Sequence, residues 1–226
     1  DGIAVGFQTI REETPRPGRK LPVRTGVTAI LPHSGSDTPV PVYAGVHRFN
    51  GNGEMTGTHW IEDGGTFLGP VMITNTHGVG ITHHATTRWM LERYASTYEV
   101  GDFLWLMPVI AETYDGVLND INGLPVTEAD VRAALENLSR GAVSEGNCGG
   151  GTGMITYGFK GGTGTASRIV TCGGKDYTIG TLVQANHGQR DWLTICGVPV
   201  GRHLQDNTPQ SQLKERGSII VVIATD

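Results

Sequence analysis

A chain of 226 residues is long enough for one domain with a sizeable core, and 34 glycines and 11 prolines without a collagen-like period make it rich in turns rather than disordered. A formal net charge of −5 argues against a nucleic-acid partner, since the strongest basic stretch holds only Arg16, Arg19, Lys20 and Arg24 among prolines and glycines. No apolar run has the length of a membrane span, and three cysteines at unpaired spacing make no disulfide framework, so Cys148, Cys172 and Cys196 read as small buried hydrophobes.

The opening Asp1-Gly-Ile-Ala-Val reads as the lip of a strand rather than a leader, with any targeting segment already removed. A soluble protein of the cytoplasm or periplasm is expected, with no membrane partner. Residues 3–10 and 23–31 carry β-branched residues between turn formers and predict strands, as do Val40–Val46 and Val71–Thr74. From Gly80 the apolar residues fall at helical intervals, with Thr82 as the N-cap. Phe103–Ala111 is short and almost wholly apolar, which predicts a buried strand. The clearest helix follows Thr127, with an acid three residues on at Asp130 and Gly141 as its stop. Met154–Phe159, Ser167–Thr171, Tyr177–Gln184, Trp192–Val198 and Ser218–Thr225 complete the strands. Many strands, few helices and no βαβ alternation predict stacked sheets flanked by helices in a single domain over 1–226.

Ile219–Ile223 are five consecutive aliphatic residues and read as a strand buried on both faces. A chain stopping at the end of such a strand suggests either truncation or a peptide bond cut after folding. In the second case, self-cleavage before a Ser, Thr or Cys leaves an α-amine beside the nucleophile, and its pKa near 8 suits it to act as the base.

Several segments in order along the chain resemble the DmpA-type aminopeptidases (L-aminopeptidase/D-amidase-esterase, β-peptidyl aminopeptidase). They are Val46-His-Arg-Phe-Asn-Gly-Asn-Gly-Glu-Met-Thr-Gly, Thr74-Asn-Thr-His-Gly-Val-Gly, Ala111-Glu-Thr-Tyr-Asp-Gly-Val-Leu-Asn-Asp-Ile, Glu145-Gly-Asn-Cys-Gly-Gly-Gly-Thr-Gly-Met, Phe159-Lys-Gly-Gly-Thr-Gly-Thr-Ala-Ser-Arg, Val183-Gln-Ala-Asn-His-Gly and Gly197-Val-Pro-Val-Gly. The resemblance implies an α+β fold, a four-layer αββα sandwich like the N-terminal-nucleophile hydrolases but connected differently. It implies a precursor that splits into two subunits, with a serine nucleophile opening the smaller one. This chain is then the larger subunit, Asp226 precedes the scissile bond, and the nucleophile lies on the smaller chain. A homo-oligomer of such heterodimers, acting without a cofactor on short peptides, amides or esters, is the implied enzyme.

By the same resemblance Asn186 is the oxyanion-hole donor and Tyr114 a catalytic-centre tyrosine. A fixed amide aimed at the developing oxyanion contributes about 3 kcal/mol to acyl transfer. Glu112 lies two residues before Tyr114, on the same side of a continuing strand, and a carboxylate there suits a substrate's free ammonium group. Asp115 is the alternative. Asn147, Gly149 and Gly150 belong to a Gly-rich turn without the spacing of a phosphate loop, read as tight backbone at the pocket. No His-x₃-His or HExxH spacing supports a metal. The rival readings are a self-cleaving acyltransferase of the ornithine acetyltransferase type and a binding protein without catalysis.

Overall fold

The computed structural model describes residues 2–98, 103–206 and 217–226. Its strands are β1 (Ala4–Glu12), β2 (Val23–Leu31), β3 (Val42–Tyr43), β4 (Thr66–Phe67), β5 (Val71–Asn75), β6 (Val109–Thr113), β7 (Ile155–Thr156), β8 (Phe159–Lys160), β9 (Gly162–Cys172), β10 (Lys175–Asn186) and β11 (Ser218–Thr225). The helices are α1 (Thr58–Gly64), α2 (Val79–Arg93), α3 (Glu128–Glu136) and α4 (Val200–His203).

The first sheet has the order β1-β2-β5-β6. β1 and β2 pair antiparallel along their full length, from Ala4 opposite Leu31 to Glu12 opposite Val23. β6 runs parallel to β5, because the chain between them crosses back through α2. Alternation along β2 sends Val27, Ala29 and Leu31 to a core shared with Ala85, Trp89 and Met90 of α2 and Val131, Ala134 and Leu135 of α3. Ile30 points the other way, into a second core with Ile73, Ala111 and Leu182. Both faces of the first sheet are therefore covered, and β2 and β6 are buried along most of their length.

The second sheet has the order β11-β10-β9. β9 and β10 form a hairpin closed by Gly173 and Gly174, both at positive φ, where glycine enters the left-handed region without a Cβ clash. Ile220 and Val222 of β11 face the first sheet. Val221 and Ile223 face outward and are 41% and 67% exposed. Among the described residues β11 is thus half-buried and alternating rather than uniformly buried. Within the described residues the architecture is a helical layer, a sheet and a second sheet, in an α+β arrangement.

Other local expectations are also revised. α2 begins at Val79, not at Thr82, because the Asn75 side chain accepts from the Gly78 amide and caps a 3₁₀ turn that runs into the helix. Thr82 is fully buried inside α2. The strand expected over Phe103–Ala111 starts only at Val109; Pro108 has no amide to pair, and Phe103 and Trp105 are exposed. Val40–Val46 shrinks to β3, and Met154–Phe159 becomes one arm and the turn of the short β7–β8 hairpin. Trp192–Val198 is no strand: Arg190–Trp192 is a 3₁₀ turn, and Cys196-Gly197, both at positive φ, bend Ile195 back onto Val198. Gly141 lies beyond the end of α3, which is capped at Asn137. Cys172 and Cys196 are exposed and Cys148 is half-buried, so the cysteines are not core residues.

Candidate active site

The two sheets converge where β6, β10 and β11 end or begin side by side. Asn186 closes β10, Ser218 opens β11, and the two sit directly opposite in the ladder. Tyr114 is the residue after β6. The Asn186 amide nitrogen donates to Ser218 Oγ at 3.0 Å and to the Tyr114 carbonyl at 2.7 Å. The Tyr114 backbone N–H donates to the same Ser218 Oγ at 3.3 Å. Which way the Asn186 amide faces is fixed by the Ile155 N–H, which donates to its Oδ1 at 2.9 Å. One serine hydroxyl is therefore held by two N–H donors, one from a side chain and one from the backbone.

That serine lines a cleft of about 660 Å³. Its walls are the loop of residues 46–55, Thr58, Glu112, His187 and residues 217–220. Glu112 is buried, 6% exposed, with Oε2 accepting from the Thr76 hydroxyl at 2.6 Å and Oε1 accepting from the Glu54 amide at 3.3 Å. A Cβ on Gly53 would come within 2.7 Å of Glu112 Oε1, so glycine lets the loop close over the carboxylate. The cleft thus joins a hydroxyl with two amide donors at one end to a fixed carboxylate.

The remaining anticipated residues fall elsewhere. Asp115 is 1% exposed and does not line the cleft. Burial raises its pKa to about 6, against the lowering effect of Thr25, Asn119 and Asn75 around it. Asn147 is exposed outside the cleft. The amides of Gly149 and Gly150 donate to the hydroxyls of Thr9 and Thr28, so these two amides fasten the 3₁₀ turn (Gly149–Gly153) onto β1 and β2 and are not donors to the pocket. Gly149 itself has φ +51, and a Cβ there would meet Thr28 Oγ1 at 2.5 Å.

Asp226 is at the other end of β11, roughly 25 Å from Ser218 along the strand. Its carboxylate accepts from the Thr178 amide at 2.7 Å, which lowers its pKa. Ser218 is the site residue that the sequence reading passed over. The usable signal was a Gly-Ser pair immediately before the aliphatic run, within the stretch read only as the chain's last strand. Among the described residues, no three His, Cys, Asp or Glu side chains are grouped to hold a metal ion, and no helix is long and apolar enough to cross a membrane.

The sequence matches peptidase family S58 across residues 1–226. The chain belongs to peptidase family S58. Relatives of this S58 chain include the β-peptidyl aminopeptidase BapA of Sphingosinicella microcystinivorans, 47% identical over 239 residues, with all of this chain and 59% of the relative aligned. Among solved structures, the L-aminopeptidase D-Ala-esterase/amidase of Ochrobactrum anthropi superposes with a TM-score of 0.95 at 78% identity. The match covers the whole of this chain and 61% of that one, which is described as a variant of the Ntn-hydrolase fold. A Burkholderia β-aminopeptidase matches with a TM-score of 0.88 at 45% identity, over 100% of this chain and 60% of the other. The S58 chain therefore has this variant Ntn-hydrolase fold and spans about 60% of the length of these relatives. The acetyltransferase alternative is set aside by the family found.

Proposed function

We propose that the protein is a self-processing serine aminopeptidase whose nucleophile is Ser218, and that the bond it cuts in itself joins Gly217 to Ser218. The observation that carries this reading is the Ser218 hydroxyl held by Asn186 and the Tyr114 amide at the head of the cleft. The reading moves both the nucleophile and the scissile bond: Asp226 lies a whole strand away from Asn186 and Tyr114, whereas Ser218 touches both.

In the precursor, Ser218 Oγ attacks the carbonyl carbon of Gly217. The C–N bond breaks as the ester forms, and the departing nitrogen takes the proton given up by the hydroxyl. Water then hydrolyses the ester, leaving a carboxylate on Gly217 and a free α-amine on Ser218. With a pKa near 8, that amine is the base next to the hydroxyl it activates. On substrate, the same oxygen attacks the carbonyl of an N-terminal residue, the leaving amine departs, and water releases the acyl group. The Asn186 amide lies beside the attacking oxygen, within reach of the negative charge that develops, and the backbone N–H of Tyr114 is a second donor. Glu112, 6% exposed in the cleft wall, supplies the charge that favours a substrate's free ammonium.

Cleavage leaves Ser218 at the head of a smaller subunit that remains paired with the larger one, and further copies of the pair assemble into an oligomer. Peptides, amides and esters with a free amino end are the substrate class; the β-residue and L/D-residue activities named for the relatives are the first compounds to try. The full-length Ser218→Ala precursor tests the reading. It is expected to stay one polypeptide and to release no amino acid from an aminoacyl p-nitroanilide; normal processing of that variant would overturn it.

A further inference from the structure

Asn186 is gripped from its own neighbours. Thr156 Oγ1 donates to the carbonyl of Ala185 at 2.6 Å, Ile155 N–H to the Asn186 side chain at 2.9 Å, and Tyr157 N–H to the carbonyl of His187 at 2.8 Å. Three consecutive residues of the β7–β8 hairpin thus hold Ala185 and Asn186 at the end of β10 and His187 just after it, around the proposed oxyanion donor. Lys160, opposite Ile155 in the β7–β8 pair, holds the hairpin together with the Gly161 N–H, which donates to the Met154 carbonyl at 2.8 Å, and with Arg190, which donates to the Gly158 carbonyl. Lys160 Nζ donates to the carbonyls of Gly161 at 2.8 Å, Met154 at 2.9 Å and Gly151 at 3.3 Å. All three donors of the ammonium are spent on backbone, and among the described residues no carboxylate shares it. Met154 is the residue before Ile155, and its carbonyl and the Ile155 amide belong to one rigid peptide plane. Fixing that carbonyl therefore fixes the direction of the N–H that orients Asn186.

We propose that Lys160 is a positioning residue for both self-cleavage and peptide hydrolysis, acting through the Met154–Ile155 peptide on the Asn186 amide. The inference rests on the reading of Ser218 and Asn186 given above. Among the described residues, the charged or titratable groups around the hairpin include Arg11, which acts on Lys160 through its charge, Arg190 stacked on Phe159, and His187 against Tyr157. Desolvation, with Arg11 adding to it, lowers the Lys160 pKa from the ordinary 10.5 to about 8. Between those values the folded molecule holds fewer protons than the unfolded one, so the Lys160 contribution to stability rises with pH. The clamp itself weakens over the same range as the ammonium is lost. A positioning effect and an unfolding effect therefore run in opposite directions.

The test uses the full-length precursor, in which Ser218 has no free amine to titrate. Lys160→Met is expected to slow self-cleavage of the precursor and, in the enzyme once cleaved, to lower kcat about tenfold or more with KM changed less than about twofold. Lys160→Arg, which keeps charge and donors, is expected to restore most of both rates. Wild-type self-cleavage should lose rate, relative to Lys160→Arg, as pH rises through about 8. If Lys160→Met does not fold, the pH comparison of wild type with Lys160→Arg decides. Wild-type rates in Lys160→Met, or matching pH profiles in wild type and Lys160→Arg, would overturn the role of Lys160. If Ser218→Ala blocks cleavage while Lys160→Met leaves it untouched, only this inference falls; if Ser218→Ala still cleaves, the nucleophile assignment falls with it.

Discussion

Glu112 and Asp115 are three residues apart in sequence and have opposite environments. Glu112 opens onto the cleft with its oxygens held by Thr76 and Glu54, whereas Asp115 is enclosed beside Asn119, whose amide donates to it at 2.9 Å. For substrates with a free amine, Glu112→Gln should raise KM about tenfold or more while changing kcat much less, since it removes ground-state attraction to the ammonium. Steady-state kinetics on an aminoacyl amide measures this, and an unchanged KM would remove Glu112 from substrate binding. Asp115 makes a prediction about pH. Its folded pKa of about 6 lies above the ordinary 3.8, so its contribution to stability is full below about 4 and is lost as pH rises through 6. Asp115→Asn should therefore flatten the stability profile between pH 4 and 6 and gain up to roughly 3 kcal/mol at pH 7. Thermal melts of the two proteins across that range provide the check. The sequence allowed either carboxylate to meet an ammonium, because residue type and spacing do not say which one a neighbouring Asn encloses.

At the scale of elements, features set by residues within one segment are legible in the sequence. The box at α3 forms as its residues dictate: Thr127 Oγ1 accepts from the Asp130 amide, and the Asp130 carboxylate accepts from the Thr127 amide. Thr127→Ala should lower unfolding stability by about 1 kcal/mol, visible as a few degrees in Tm, with processing unaffected. The failures have a shared cause. Phe103–Ala111 has strand composition, but Pro108 delays pairing until a parallel partner is available at β5. Helix α2 starts earlier than its own pattern indicates because Asn75, at the end of a strand, supplies the cap. In both places the boundary depends on a neighbouring element, β5 or the Asn75 cap, as well as on the segment itself.

At the scale of the molecule, the site is assembled from segments distant in sequence: residues 46–55, 112–114, 155–187 and 217–220. Composition and strand count were enough for two stacked sheets, and the motif order was enough for the family. Sheet order was not legible, and with it went the pairing of Asn186 with Ser218, which is a property of the β10–β11 register alone. Local composition marks Ser218 only as the first residue of a strand, whereas its position opposite Asn186 places it at the head of the cleft. The most direct measurement is N-terminal sequencing, with intact mass, of every polypeptide in the purified full-length protein. A smaller chain beginning Ser218-Ile-Ile-Val-Val and a larger one ending at Gly217 are expected. A single uncut polypeptide, or a smaller chain that begins after Asp226, would contradict cleavage between Gly217 and Ser218.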